Sequence, residues 1–217
     1  MNTRLHCFLT STLVASSIQA ATITATGNNP SGGQGYAYNV ALDSSNNDTT
    51  TFNGTVGSWS WEDSTLPGDD TFWRHQSDWI AITLTAHAIL TIQVQRNDPN
   101  ADIKLFPSFT VFRGFNDTTE GPHFASNISD LRWEPTSQLL EYVGHHDNST
   151  LGAIDEKMTL TAGDYTILLG GNAVAEGSAV NTNYLMTLEA KTIPEPSSSL
   201  HGILASMMFL TRRKRRR

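Results

Sequence analysis

Cysteine is nearly absent: the 217-residue chain has one, Cys7, among its first ten residues. No disulfide can form within the chain, and no cysteine-based metal centre or thiol nucleophile is available beyond that position. Basic residues are scarce through the middle. Seven of the fourteen, Arg4 and Arg212 to Arg217, stand at the two ends, whereas of the 21 acids only Glu195 lies outside Thr22–Thr192. The central segment therefore carries seven bases against twenty acids, near −13. Such a surface repels phosphate, which excludes nucleic acid as a partner. Long apolar runs are missing as well. The best, Leu200 to Leu210, would make roughly 16 Å of helix against about 30 Å of hydrocarbon. Catalytic signatures are equally lacking: there is no Gly-x-Ser-x-Gly elbow, His-Glu-x-x-His, phosphate loop or dinucleotide fingerprint.

The two ends carry the addressing signals. Met1 to Ala20 reads as a signal peptide, with Arg4 as the positive region, Leu5 to Ala15 as the apolar region and Ile18-Gln19-Ala20 before the cleavage point. Cys7 lies inside this removed part. At the other end stand Pro194-Glu195-Pro196, the short apolar run and six consecutive basic residues. The two prolines bias the backbone around Glu195 to an extended form, which suits a protease cleft. A basic cluster stays on the cytoplasmic side and halts translocation. Together these place the middle of the chain outside the cytoplasm.

Between the ends, Thr22–Thr192 is long enough for one domain with a real core. Its short segments alternate in period two and are punctuated by Gly, Asn and Asp, with no convincing helical pattern. Tyr36 to Leu42, Thr51 to Trp61, Phe109 to Arg113 and Asn183 to Ala190 read as strands. Asp78–Thr85 with Ala88–Gln95 predicts an antiparallel hairpin turning at Ala86-His87, and Lys157–Leu169 a second, turning at Ala162-Gly163-Asp164. Leu90, Ile92 and Val94 share the core face of their strand. Thr136 to Ser149 fits a strand or a helical turn or two equally well. About eight strands at this spacing predict an all-β, antiparallel sandwich of jelly-roll type over residues 21–192, flanked by a signal peptide (1–20) and a sorting tail (193–217).

The tail, Pro194-Glu195-Pro196 followed by an apolar run and a basic end, resembles the PEP-CTERM sorting segment of exported bacterial proteins. The resemblance covers about the last 25 residues. It implies transient anchoring in the inner membrane, cutting by an exosortase-type protease, and release to the cell surface or extracellular matrix. The central segments Ile89 to Val94, Asp102-Ile103-Lys104-Leu105, Phe109 to Phe112 and Leu160 to Tyr165 are similar to pre-peptidase C-terminal and jelly-roll-like domains. That resemblance implies a fold, not an activity.

Few residues stand out as chemically equipped. Trp59 and Trp61, two apart on a strand, share a face on which sugar rings of an extracellular polysaccharide could stack; the same indoles serve equally as core. His145-His146-Asp147 is the most ligand-like cluster. Neighbouring strand residues point to opposite faces, so both imidazoles reach one metal only if the backbone turns there, as Asn148-Ser149 suggests it does. Asp98 to Asp102 and Asn116 to Glu120 carry the oxygens that Ca²⁺ prefers, without EF-hand spacing. Asp69-Asp70 and Asp155-Glu156 are paired carboxylates, but glycoside hydrolysis needs two held at a set separation in a cleft. The expectation is thus a non-enzymatic surface or matrix protein with no cofactor, Ca²⁺ being the one cation considered. The alternative is an exported hydrolase of glycan or peptide, which requires carboxylates or histidines converging in a concave site.

Overall fold

The computed structural model describes residues 21–25, 35–57, 60–61, 72–73, 77–97, 105–115, 125–126, 129–133, 138–173 and 181–193. Among them there are thirteen strands and no helix: β1 (Thr22–Ala25), β2 (Tyr38–Leu42), β3 (Thr49–Gly57), β4 (Phe72–Trp73), β5 (Asp78–Leu84), β6 (Ala88–Arg96), β7 (Leu105–Arg113), β8 (Ala125–Ser126), β9 (Leu131–Trp133), β10 (Gln138–His146), β11 (Ala153–Leu160), β12 (Gly163–Ala173) and β13 (Asn181–Thr192). They form a seven-stranded sheet in the order β1-β2-β5-β12-β7-β10-β9, a four-stranded sheet β11-β6-β13-β3, and a two-stranded ribbon β4-β8. All pairings are antiparallel except β2 with β5. The all-β sandwich expected from the alternation is the fold. Within the ambiguous stretch at Thr136 to Ser149, Gln138–His146 is strand, because β7 and β9 pair with it on both sides.

Both expected hairpins prove to be crossovers between sheets. β5 pairs with β2 and β12, whereas β6 pairs with β11 and β13. Likewise β11 joins β6, and β12 joins β5 and β7. The turns at Ala86-His87 and Ala162-Gly163 stand where the pattern put them, yet each carries the chain from one layer to the other. Alternation marks a strand and its buried face; it does not name the strand's neighbour.

The main core lies between the sheets. Leu42, Ile80, Ile82, Leu84, Phe109, Val111, Ile167 and Leu169 meet Phe52, Val56, Leu90, Ile92, Val94, Tyr184, Met186 and Leu188. Each such side chain contributes about 1.5–3 kcal/mol by leaving water. Leu90, Ile92 and Val94 all sit in this core, as their alternation implied.

A second apolar layer covers the outer face of the larger sheet. Tyr36, Trp61, Trp79, Ala81, Phe112, Leu131, Leu140 and Leu168 are buried there, with Phe115 and Tyr142 packed against them. The central strand β5 is therefore buried on both faces: Ile80 and Ile82 point inward, Trp79 and Ala81 outward. That second layer positions the candidate site.

Candidate functional site

The site begins with a register slip. Along β10, Tyr142 stands opposite Phe112 and Gly144 opposite Val111, so Val143 is an extra residue in the ladder. A bulge of this kind reverses the alternation beyond it. Tyr142 and His145, three apart, consequently face the same side. Without the bulge, His145 would point the other way.

On that face the Tyr142 hydroxyl lies 2.5 Å from His145 Nδ1. His145 Nε2 in turn lies 3.3 Å from Asp147 Oδ1. Burial, followed by the nearby Asp147 charge, raises the Tyr142 phenol above its ordinary value, so it keeps its proton. The Asp147 carboxylate only accepts, so Nε2 carries the imidazole N–H and Nδ1 accepts from the Tyr142 hydroxyl. The backbone N–H of Tyr142 donates to Asp130 Oδ1 at 2.8 Å, holding the bulge in place.

Trp61 closes the site from above. Its indole is stacked near the His145 ring, with centroids 6.3 Å apart and planes 28° off parallel. Its ring N–H donates to Thr110 Oγ1 at 3.4 Å, and Thr110 is the register partner of His145. The preceding residue pins this segment to β12: Ser60 N–H donates to Gly171 O at 3.1 Å, and Gly171 N–H donates to Ser60 Oγ at 2.9 Å. A side chain at Gly171 would put its Cβ 2.2 Å from the Phe106 carbonyl oxygen, so the strand can come this close only as glycine.

Trp61 is 0 % exposed, which leaves no indole face open to a sugar ring. As the sequence pattern also allowed, it is a core residue of the second layer. Trp59 lies outside the described residues, as do Pro194, Glu195 and Pro196, the acidic stretches at 98–102 and 116–120, and Asp69-Asp70. The turn anticipated at His145-His146 comes later. β10 runs through His146, so His145 meets Trp61 while His146 meets Phe109 of the main core. The two imidazoles cannot share an ion. His146 Nδ1 instead lies 2.6 Å from the Asp147 carbonyl oxygen. Among the described residues, no three His, Cys, Asp or Glu side chains gather as ligands. Asp155 and Glu156 are neighbours on β11 and so point apart.

The ribbon β4-β8 pairs Phe72 with Ser126 and Trp73 with Ala125. β8 also contacts β9, the strand beside β10, so the ribbon lies at the same edge of the larger sheet. Elsewhere, a groove of about 320 Å³ on the four-stranded sheet has a mixed wall, with Gln93, Gln95, Asp155 and Thr187 beside Val94, Ala153, Ile154 and Leu185.

No family model matches the chain, and no curated protein matches it. Solved structures do. CorA of Methylomicrobium album BG8, a surface-associated copper-binding protein, superposes with a TM-score of 0.52 at 16 % identity, covering 72 % of this chain and 98 % of CorA. The fold is similar to that of CorA. MopE, a secreted protein of Methylococcus capsulatus in which an oxidised tryptophan facilitates copper binding, gives 0.45 at 15 % identity, over 64 % and 83 %. A pre-peptidase C-terminal domain of Bacillus anthracis collagenase gives 0.37 at 10 % identity, over 69 % and 91 %. The expectation of a domain without a cofactor, Ca²⁺ being the one cation considered, is corrected by the first likeness, since a protein of this fold binds copper.

Proposed function

We propose that the chain is an exported, non-catalytic surface protein that binds copper beside the ribbon β4-β8. The observation that carries the reading is the ribbon's register, Phe72 with Ser126 and Trp73 with Ala125. In sequence, His75 stands two residues after Trp73 and His123 two residues before Ala125. The described pairs bring these two segments of the chain side by side, and His75 and His123 are the histidines that flank them in sequence. Imidazole is a good donor to copper, and no cysteine competes for the role in this part of the chain. His145 is the poorer candidate, because both of its ring nitrogens are already engaged. The likeness to CorA supports the reading at the level of the fold.

Delivery belongs to the same proposal. The signal peptide directs export, and Pro194-Glu195-Pro196 with its apolar run and basic end addresses the chain to an exosortase-type protease after transient anchoring in the inner membrane.

Copper titration of the purified exported protein tests the site, with spectroscopy of the bound ion. His75→Ala and His123→Ala should each weaken binding by at least about tenfold, on the scale at which metal sites respond to loss of a supporting group. His87→Ala, in the turn between β5 and β6, should leave affinity unchanged. Equal affinity in all three variants would remove the ribbon from consideration.

A further inference from the structure

We propose that Tyr142 is a redox-active tyrosine, oxidised by one electron while its phenolic proton passes to His145. The inference does not rest on copper binding. It rests on three groups in line: the Tyr142 hydroxyl, His145 with its ring nitrogen 2.5 Å from that oxygen, and Asp147 with a carboxylate oxygen 3.3 Å from the far ring nitrogen.

A phenol that loses an electron and keeps its proton becomes a strongly acidic cation, which makes the unaided step difficult. A base already hydrogen-bonded to the hydroxyl removes that obstacle, because electron and proton leave together. Here the phenolic O–H bond breaks and an Nδ1–H bond forms. The electron goes to a one-electron oxidant of the oxygen-centred radical class, which is reduced to its anion. The products are a neutral phenoxyl and an imidazolium. Both N–H groups of the imidazolium have acceptors waiting, the phenoxyl oxygen on one side and Asp147 on the other. Return of an electron from a reductant reverses the transfer and restores the starting hydrogen bonds.

The surroundings suit this role. Trp61 shields one face of His145, and the Phe112 ring stands edge-on to Tyr142 at 6.5 Å, an apolar setting that disfavours coupling of the radical. Yet the site is not sealed: the His145 side chain is 26 % exposed and that of Asp147 51 %. An oxidant can reach the edge by outer-sphere contact. Each of the other four tyrosines is placed differently. Tyr38 donates to Asn53 O and Tyr165 to Thr161 O, Tyr36 shares a hydrogen bond with Thr166, and Tyr184, on Asp78, is fully buried. Among the described residues, Tyr142 is the tyrosine that combines a hydrogen bond to an imidazole with an edge open to solvent.

Flash photolysis of the metal-free protein with a photogenerated ruthenium(III) polypyridyl oxidant tests the proposal, read by the absorbance and electron spin resonance of a neutral phenoxyl. The wild type should form the radical, and Tyr142→Phe should lose most of it. His145→Ala should slow its appearance by at least about tenfold, the low end of what a positioned proton acceptor contributes, and added imidazole should restore the rate. Asp147→Asn, at an exposed position, should slow the step severalfold without disturbing the core. An undiminished radical yield in Tyr142→Phe would overturn the proposal. So would oxidation of Asp147→Asn and folded His145→Ala at the wild-type rate.

Discussion

Tyr184 donates a 2.6 Å hydrogen bond to Asp78 Oδ2 inside the sandwich, joining β13 of one sheet to β5 of the other. Both side chains are buried. Burial pushes the Asp78 carboxyl up to about 6 from its ordinary 3.8, although the Tyr184 hydroxyl and the Thr55 backbone N–H act in the opposite direction. Burial, and then the Asp78 charge, raises the Tyr184 phenol as well, so it remains a donor. The pair ties the layers together while leaving a carboxylate short of solvation.

Its consequence is a pH dependence with a definite sign. The folded state holds the Asp78 proton more tightly than the unfolded chain does. The contribution to stability is therefore complete below about pH 3.8 and is lost as pH rises through about 6. At 1.36 kcal/mol per unit, the loss is on the order of 3 kcal/mol. Asp78→Asn should show no such loss. Its unfolding free energy relative to wild type, measured in urea, should rise between pH 4 and 7 and then level off. A difference that stays flat across that range would contradict the assignment.

Gly54 makes room for this pair. It is the register partner of Tyr184, and a Cβ there would lie 2.1 Å from both Cζ and the hydroxyl oxygen of the tyrosine. Gly54→Ala should destabilise by about 1–3 kcal/mol through overpacking. The double variant Gly54→Ala, Tyr184→Leu should recover part of that cost, because the shorter side chain leaves the space open. Chemical denaturation of the four proteins decides it.

Trp61→Ala should cost roughly 3–5 kcal/mol, as expected for removing a buried indole. Trp61→Phe should cost less, since a ring remains to pack against His145. Ile92→Ala, in the main core, should cost about 2–5 kcal/mol. If Trp61→Ala melts with the wild type, the second layer is not a stabilising core.

Protein recovered from its native host should be shortened at both ends, after Ala20 and near Pro194-Glu195-Pro196. Intact-mass measurement checks this directly. A recovered chain that still carries Arg212 to Arg217 rules out the sorting proposal.

What could be read along the chain was local. Period-two alternation marked β6, β12 and β13 and assigned Leu90, Ile92 and Val94 to the core, because side-chain direction in a strand depends only on parity. The turns at Ala86-His87 and Ala162-Gly163 were legible for the same reason. The scarcity of cysteine and the acidity of the middle are properties of composition and need no fold.

Partnership was decided by tertiary structure. Whether β5 turns back on β6 or crosses to the opposite sheet changes no residue in either strand, so the pattern is the same for a hairpin and a crossover. The covering of the outer face by Trp61 and Tyr36 was hidden because it comes from chain segments far from β5, β7 and β12. Above all, the bulge at Val143 was invisible: a single unpaired residue arises from how β10 meets β7, and it alone brings His145 onto the face of Tyr142. Parity is written in the sequence, but the position at which it slips is set by the neighbouring strand.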